Sequence, residues 1–322
     1  MWILRYDLRA PTWGPATHAE IYAACLAQCA WADTRGDPMV VLSEHHGIAE
    51  DGYLSSPLVL AGAIAGATSK LRISIQALLA PLHDPIRVAE DLAALDLVSA
   101  GRVICTLGLG YRDEEFEMFG VDRKRRAPLL EEAVEVLLKA WTGEPFEYRG
   151  RTVQVTPRPM TQPHPFLFVG GSVPAGARRA ARLKLPFMAA ADDASLKDVY
   201  DEACAEIGWT GGFAFIPHNT AYVHVALDPE KAWAQIGPHV LHDAKSYDAW
   251  QTPDQHSAVH VRADDLDAVR ASGVYQVLTP DETVARAQQG ETIMLHPLVG
   301  GLSPEIGWES LELFDSAVLP RI

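Results

Sequence analysis

The sequence is short of cysteine, of basic charge and of long apolar runs, and each shortage narrows what the protein can be. Four cysteines in 322 residues, Cys25, Cys29, Cys105 and Cys204, form no C-x-x-C and adjoin no close histidine pair. Neither a disulfide scaffold nor a zinc finger is expected, and no metal site is assigned. Lys and Arg number 27 against 42 Asp and Glu, a formal net charge of −15, which argues against nucleic acid or an anionic membrane as partner. No stretch nears the ~18 apolar residues of a membrane-spanning helix. Arg5 and Asp7 interrupt the start of the chain, where a secretion signal needs an apolar run, so a cytoplasmic protein is expected. The motifs H-E-x-x-H, the lysine-tipped phosphate loop and a completed G-x-S-x-G are also missing, which disfavours the corresponding peptidases, nucleotide hydrolases and serine hydrolases.

What is present is an α/β rhythm. Short apolar runs at 2–6, 39–43, 71–78, 103–107, 166–169, 187–191, 221–226 and 292–296 alternate with amphipathic segments, the pattern of a parallel sheet crossed over by helices. Val103 to Leu107 is a run without polar alternation, as befits a strand buried on both faces. Helix starts are marked by an acceptor before proline at Ser56, Asp84, Asp228, Thr279 and Ser303, with capping-box spacing at Thr17/Glu20 and Thr279/Glu282. Eight strands point to a single (β/α)8 TIM barrel over residues 1–322. One insertion precedes the fifth strand, with a hairpin turn at Tyr148 to Arg151. Another lies between the seventh and eighth strands, where residues 244–277 show no clear strand but some helix near 264–271.

In such a barrel the chemistry belongs at the carboxyl ends of the strands. The second strand ends in Ser43-Glu44-His45-His46, and a histidine beside a carboxylate there is a candidate proton donor or acceptor. The fourth ends in Gly108-Leu109-Gly110-Tyr111-Arg112-Asp113, where Asp113 spoils a dinucleotide fingerprint but the glycines leave room for a planar ligand or a phosphate. The fifth ends in Gly170-Gly171-Ser172 before a helix. These residues read equally as a small phosphate site of backbone N–H groups and as a tight turn with Ser172 as an N-cap. Tyr53, His218, Tyr247, Trp250 and Tyr275 would make a partly aromatic substrate cavity.

These residues, with Ala80-Pro81-Leu82-His83-Asp84-Pro85, Ser99-Ala100-Gly101-Arg102, Glu115-Phe116 and the closing His296-Pro297-Leu298-Val299-Gly300-Gly301, resemble the bacterial-luciferase-like flavin monooxygenases. The resemblance spans nearly the whole chain, strongest from Val40 to Gly171. It implies reduced FMN supplied by a separate flavin reductase, O2 activation through a flavin hydroperoxide, a small organic substrate, a homodimer, and His45 as the catalytic histidine with Glu44 beside it. It also implies a non-prolyl cis peptide near Gln76-Ala77, beneath the flavin. The luciferase arginine, glutamate and threonine that grip phosphate fall on Leu109, Gly171 and Ala175, its serine is kept as Ser172, and its reactive cysteine falls on Gly108. A luciferase itself is therefore not implied. The expected cofactor contacts are Gln76, Ala77, Gly108, Gly110, Tyr111, Arg112, Gly170, Gly171 and Ser172, with Arg178 as another source of charge. The alternatives are hydride transfer with a deazaflavin coenzyme on the same fold, and a non-catalytic flavin-binding protein.

Overall fold

The computed structural model describes residues 1–218, 221–251 and 260–322. The strands are β1 (Trp2–Tyr6), β2 (Pro38–Leu42), β3 (Arg72–Leu79), β4 (Val103–Gly108), the pair β5 (Phe146–Tyr148) and β6 (Arg151–Val153), β7 (Phe166–Gly171), β8 (Phe187–Ala189), β9 (Ala214–Phe215), β10 (Tyr222–Val225), β11 (Tyr275–Leu278) and β12 (Ile293–Leu295). The helices are α1 (His18–Ala32), α2 (Pro57–Ala67), α3 (Pro85–Ser99), α4 (Asp113–Phe119), α5 (Arg126–Ala140), α6 (Pro174–Arg182), α7 (Ser195–Glu206), α8 (Pro229–Trp250), α9 (Leu266–Ser272), α10 (Pro280–Gln288) and α11 (Pro304–Ala317). The chain divides into two compact units, one of residues 1–55 with 218–322 and one of residues 56–217.

In the first unit the strands are all parallel and run β11-β10-β12-β1-β2, with Trp2 level with Ile293 and Tyr222 level with Tyr275. Tyr222, Trp233, Ile236, Val240, Ala244 and Tyr275 pack into one core beneath α8. Two expectations are corrected here. The 244–277 segment does contain a strand: β11 adds outside β10, so the chain steps over β10 to reach β12. Its four residues are too short for period-2 alternation to show in the sequence. Residues 244–250 are not loop but the end of α8, a helix that continues through Pro238. Residues 252–259 of that segment lie outside the described residues.

The second unit runs β3-β4-β7-β8-β9, again parallel, with the antiparallel β5–β6 hairpin as its excursion. The hairpin turns on Arg149 and Gly150, both at positive φ. Asp84 caps α3 by accepting from the N–H groups of Ile86 and Arg87. Ser56 precedes α2 without capping it, a departure that the Ser-Pro spacing could not show. Asp96, fully buried on α3, accepts from the N–H and the hydroxyl of Thr161 at 2.7 Å each, fastening the 154–165 stretch. All four cysteines are free and buried, and no described helix is long and apolar enough to cross a membrane.

Candidate functional site

The two units carry different chemistry. In the first, charges of alternating sign stand at the end of β1 and just beyond it: Arg5, Asp7 and Arg9 are all buried. Burying them is tolerable only if they are paired. Arg9 is clamped by Asp243 at 3.0 Å, Asp51 at 3.2 Å and Asp7 at 3.3 Å, and its guanidinium lies over the rings of Trp250, Tyr53 and Tyr247. Burial acts to raise the Asp51 carboxyl, but a 2.6 Å hydrogen bond with His242 and the Arg9 charge outweigh it and hold the group below its usual value. For Asp243, burial wins and the carboxyl is raised despite Arg9.

Asp7, Asp243 and His296 bring ligand atoms within 4.8 Å of one another. Arg9 Nε stands against both carboxylates and is the cation of that cluster, which disfavours a metal ion there. Burial, reinforced by Arg5, pushes His296 down to about 3, so the imidazole is neutral and its 3.7 Å approach to Asp7 is not an ion pair. His224, on β10, is pushed down to about 4 by burial.

The loop after β2 is tied back to the same unit, with His45 N–H donating to the Leu54 carbonyl and Leu54 N–H to that of Asp7. His45 and His46 then separate in role. His46 Nε2 meets Glu44 Oε1 at 2.8 Å. The His45 ring packs edge-on to Tyr53 and near Trp250 and Tyr247, with centroids 4.9, 5.1 and 6.4 Å away. The aromatic wall expected from Tyr53, Tyr247 and Trp250 therefore stands around His45. Tyr275 instead hydrogen-bonds Asp243 at 2.7 Å, and His218 is exposed. Arg5, Asp7, Arg9, Asp51 and Asp243 were not singled out from the sequence as site residues, although Arg5-Tyr6-Asp7-Leu8-Arg9 shows a signal: charge at period two at the end of an apolar strand.

In the second unit Gln76, Ala77, Gly108, Gly110, Tyr111, Arg112, Gly170, Gly171 and Ser172 gather at the carboxyl ends of three consecutive paired strands, β3, β4 and β7. The Gln76-Ala77 peptide is cis, and the β3–β4 register shifts at that point. The glycines have packing reasons. A Cβ on Gly108 would come 2.8 Å from that of Ala77, one on Gly170 3.0 Å from Thr106 Cγ2, and one on Gly171 3.2 Å from the Gly176 backbone of α6. Val173, not Ser172, is the N-cap of α6, and no side chain caps that helix. Ser172 as an ordinary cap is thus corrected: the extended Val173 carries the chain one residue further before Pro174. Arg112 is buried with Glu115 at 3.4 Å, so its charge is already engaged, whereas Arg178 is exposed.

A flavin needs polar partners along its ring edge, and this unit offers them. Gln76 and Thr106 are level across β3 and β4. The Gln76 amide donates to Ser74 Oγ at 2.9 Å, and the buried Thr106 Oγ1 has no hydrogen-bond partner among the described residues. A buried hydroxyl left unpaired is costly, which fits a group that accepts or donates there.

A family model described as luciferase-like monooxygenase matches residues 10–292. Among curated proteins, the uncharacterized protein y4wF of Sinorhizobium fredii is 32% identical over 168 residues, 51% of this chain and 49% of that protein. The uncharacterized protein Rv0953c of Mycobacterium tuberculosis is 35% identical over 130 residues, 38% of this chain and 46% of that protein. The chain spans about half the length of the curated relatives it matches. Monooxygenase RslO1 from Streptomyces bottropensis superposes with a TM-score of 0.78 at 22% identity, over 99% of both chains. The oxygenating constituent of 3,6-diketocamphane monooxygenase of Pseudomonas putida, in complex with FMN, gives 0.68 at 19% over 98% of both. An F420-dependent secondary alcohol dehydrogenase with an F420-acetone adduct gives 0.66 at 18%, also over 98% of both. These likenesses show the fold, the α/β TIM-barrel type expected from the strand rhythm.

Proposed function

We propose that this chain, which belongs to the luciferase-like monooxygenase family, is a flavin-dependent monooxygenase that takes reduced FMN from a separate reductase and uses O2 to oxygenate a small organic substrate. The observation that carries FMN is the row at the ends of β3, β4 and β7, where the unpartnered Thr106 hydroxyl stands level with Gln76. It is supported by a neighbour of the same fold solved with FMN. When bound, reduced FMN supplies two electrons and two protons, so that one oxygen atom of O2 enters the substrate and the other leaves as water. Gln76 and Thr106 would hold the ring edge, and Gly170 to Ser172 the phosphate. His45, backed by its aromatic wall, would hold or deliver a proton at an imidazole nitrogen.

The test is oxygen uptake by the purified protein with a flavin reductase. We expect uptake to depend on FMN, and His45→Ala to lower turnover about 100-fold while FMN affinity stays within about threefold. Equal turnover in that variant would remove His45 from the mechanism. A second reading, hydride transfer with a deazaflavin coenzyme, is supported by the alcohol dehydrogenase neighbour. Binding of the reduced deazaflavin in preference to reduced FMN, with no oxygen uptake, would establish it. Bound flavin without turnover on any reductant would point to a non-catalytic carrier.

The proposal includes one catalytic domain, a cytoplasmic setting and a homodimer. Helix α2 supports the dimer. It has no charged residue, Val59 is 74% exposed, and Gly62 and Gly66 face open space where a side chain would fit. Glycine inside a helix costs about 1 kcal/mol relative to alanine. Among the described residues nothing within 4 Å requires it at either position, so a second copy lying close against α2 would explain both.

A further inference from the structure

Arg5 differs from Arg9 in one respect that bears on the substrate. It is 7% exposed, yet among the described residues no carboxylate stands within 4 Å of it, because the three nearby are engaged by Arg9. Its neighbours are hydroxyls. Nε donates to Tyr222 at 3.1 Å, and Nη2 donates to Tyr53 at 3.1 Å and to Tyr247 at 2.7 Å. Nη1 is buried and has no partner among the described residues.

The hydroxyls add to this excess of donors. Ser43, Tyr53 and Tyr247 form a chain with oxygens 2.7 and 2.6 Å apart. Three hydroxyl protons serve two gaps, so one is left over, and the Tyr222 proton is a further donor. Two N–H protons on Nη1, that of Tyr222 and the surplus proton of the chain, which rests on Ser43, Tyr53 or Tyr247, are therefore donors grouped with one positive charge. Guanidinium is donor-only, and a carboxylate or phenolate is acceptor-only. A cationic spot with more donors than acceptors, and with no carboxylate of its own among the described residues, is complementary to an oxyanion. It lies beside the proposed proton-handling residue, since Tyr53 carries both the Arg5 contact and the edge-on contact with His45.

We propose that Arg5, with the hydroxyls of Tyr53, Tyr222 and Tyr247, is the subsite for a negatively charged oxygen of the substrate, which is thus an organic carboxylate or phenolate. Tyr247 and Trp250 offer its apolar body a surface. The inference deepens the monooxygenase reading and rests on it for calling the ligand a substrate. Its test is equilibrium binding without flavin, so that loss of turnover and loss of this subsite are read separately.

Benzoate and benzamide have the same shape and differ in charge. Titrated into the purified protein and followed by tryptophan fluorescence or calorimetry, benzoate is expected to bind about tenfold tighter or more. Tyr222→Phe, which removes one hydroxyl, should weaken benzoate several-fold and leave benzamide nearly unchanged. Arg5→Met should abolish the preference. If Arg5→Met does not fold, Arg5→Lys, which keeps the charge but loses the fork, should reduce the preference. Equal binding of the two probes, or a benzoate preference untouched in the Arg5 and Tyr222 variants, would overturn the proposal. Chloride or inorganic phosphate bound through Arg5 at least as tightly as benzoate would overturn the organic substrate class. A tyrosinate absorbance near neutral pH in the ligand-free protein, lost in Tyr247→Phe, would show that Arg5 already has its counter-ion and would also overturn it.

Discussion

Buried ionisable side chains are unevenly shared between the two units. Of carboxylates, histidines and arginines among the described residues, 56–217 bury Asp96, Arg112 and Glu115, whereas the other unit buries eleven, from Arg5 to His296. At its strand ends the second unit works with backbone: three glycines, a cis peptide and one spare hydroxyl. The first works with side-chain charge and aromatic rings. A flat, invariant cofactor is matched by close backbone approach, while protons and charged substrates need groups whose ionisation is tuned by neighbours. The difference also predicts opposite sensitivities, to charge and pH in one unit and to side-chain bulk in the other.

Removing Arg9 should be the largest perturbation. Arg9→Met leaves Asp7, Asp51 and Asp243 buried without their common cation, and a loss of about 3–5 kcal/mol in urea unfolding is expected. A loss below about 1 kcal/mol would mean that the cluster is balanced elsewhere. Acid comes next. Folded His296 and His224 titrate at about 3 and about 4, below the ordinary ~6.5. Between those values the unfolded chain binds protons that the folded chain refuses, so stability is full above pH ~6.5 and falls as pH drops, by about 1.4 kcal/mol per pH unit for each histidine. His224→Gln should remove about half of that slope between pH 6 and 5. A urea midpoint flat over that range would contradict the burial of both rings.

In the second unit, Gly108→Ala should cost about 1–3 kcal/mol through its clash with Ala77 and weaken flavin binding, without altering the pH dependence. Flavin affinity equal to that of the unchanged protein would show that the β3–β4 contact does not shape the cofactor site. The smallest effect, of opposite sign, is expected on α2. Gly62→Ala should stabilise the folded monomer by about 0.5–1 kcal/mol, and Gly62→Leu should shift the protein toward monomer in sedimentation. A Gly62→Leu protein with unchanged association would exclude α2 as the dimer face.

The glycine-marked strand ends were legible in the sequence because glycine, proline and capping residues act locally. Thr17, Asp84 and Thr279 cap their helices as the spacing implied, and the cis peptide stands where the family resemblance placed it. The charge cluster was not legible in the same way. Arg9 meets Asp243 more than 230 positions away, and a pairing across such a separation leaves no local pattern at its far end. Strand β11 escaped for a related reason: Tyr275 to Leu278 is recognisable as a strand only through its partner β10. Between the two histidines of the second strand end, the sequence offered no choice beyond resemblance. The structure separates them by neighbours, a carboxylate for His46 and rings for His45.

The strand order of the first unit has a consequence for biogenesis. Residues 56–217 are one continuous stretch, whereas β1 needs β12 as a neighbour, with Trp2 level with Ile293. At ~5–20 residues per second, the ribosome takes about 15–60 s to make the intervening chain. Throughout that interval β1 has an open edge on the side that β12 will occupy, and the Arg9 cluster lacks Asp243. The nascent protein therefore emerges with its backbone-built unit complete first, and with its charge-bearing unit dependent on protection until β12 has been made.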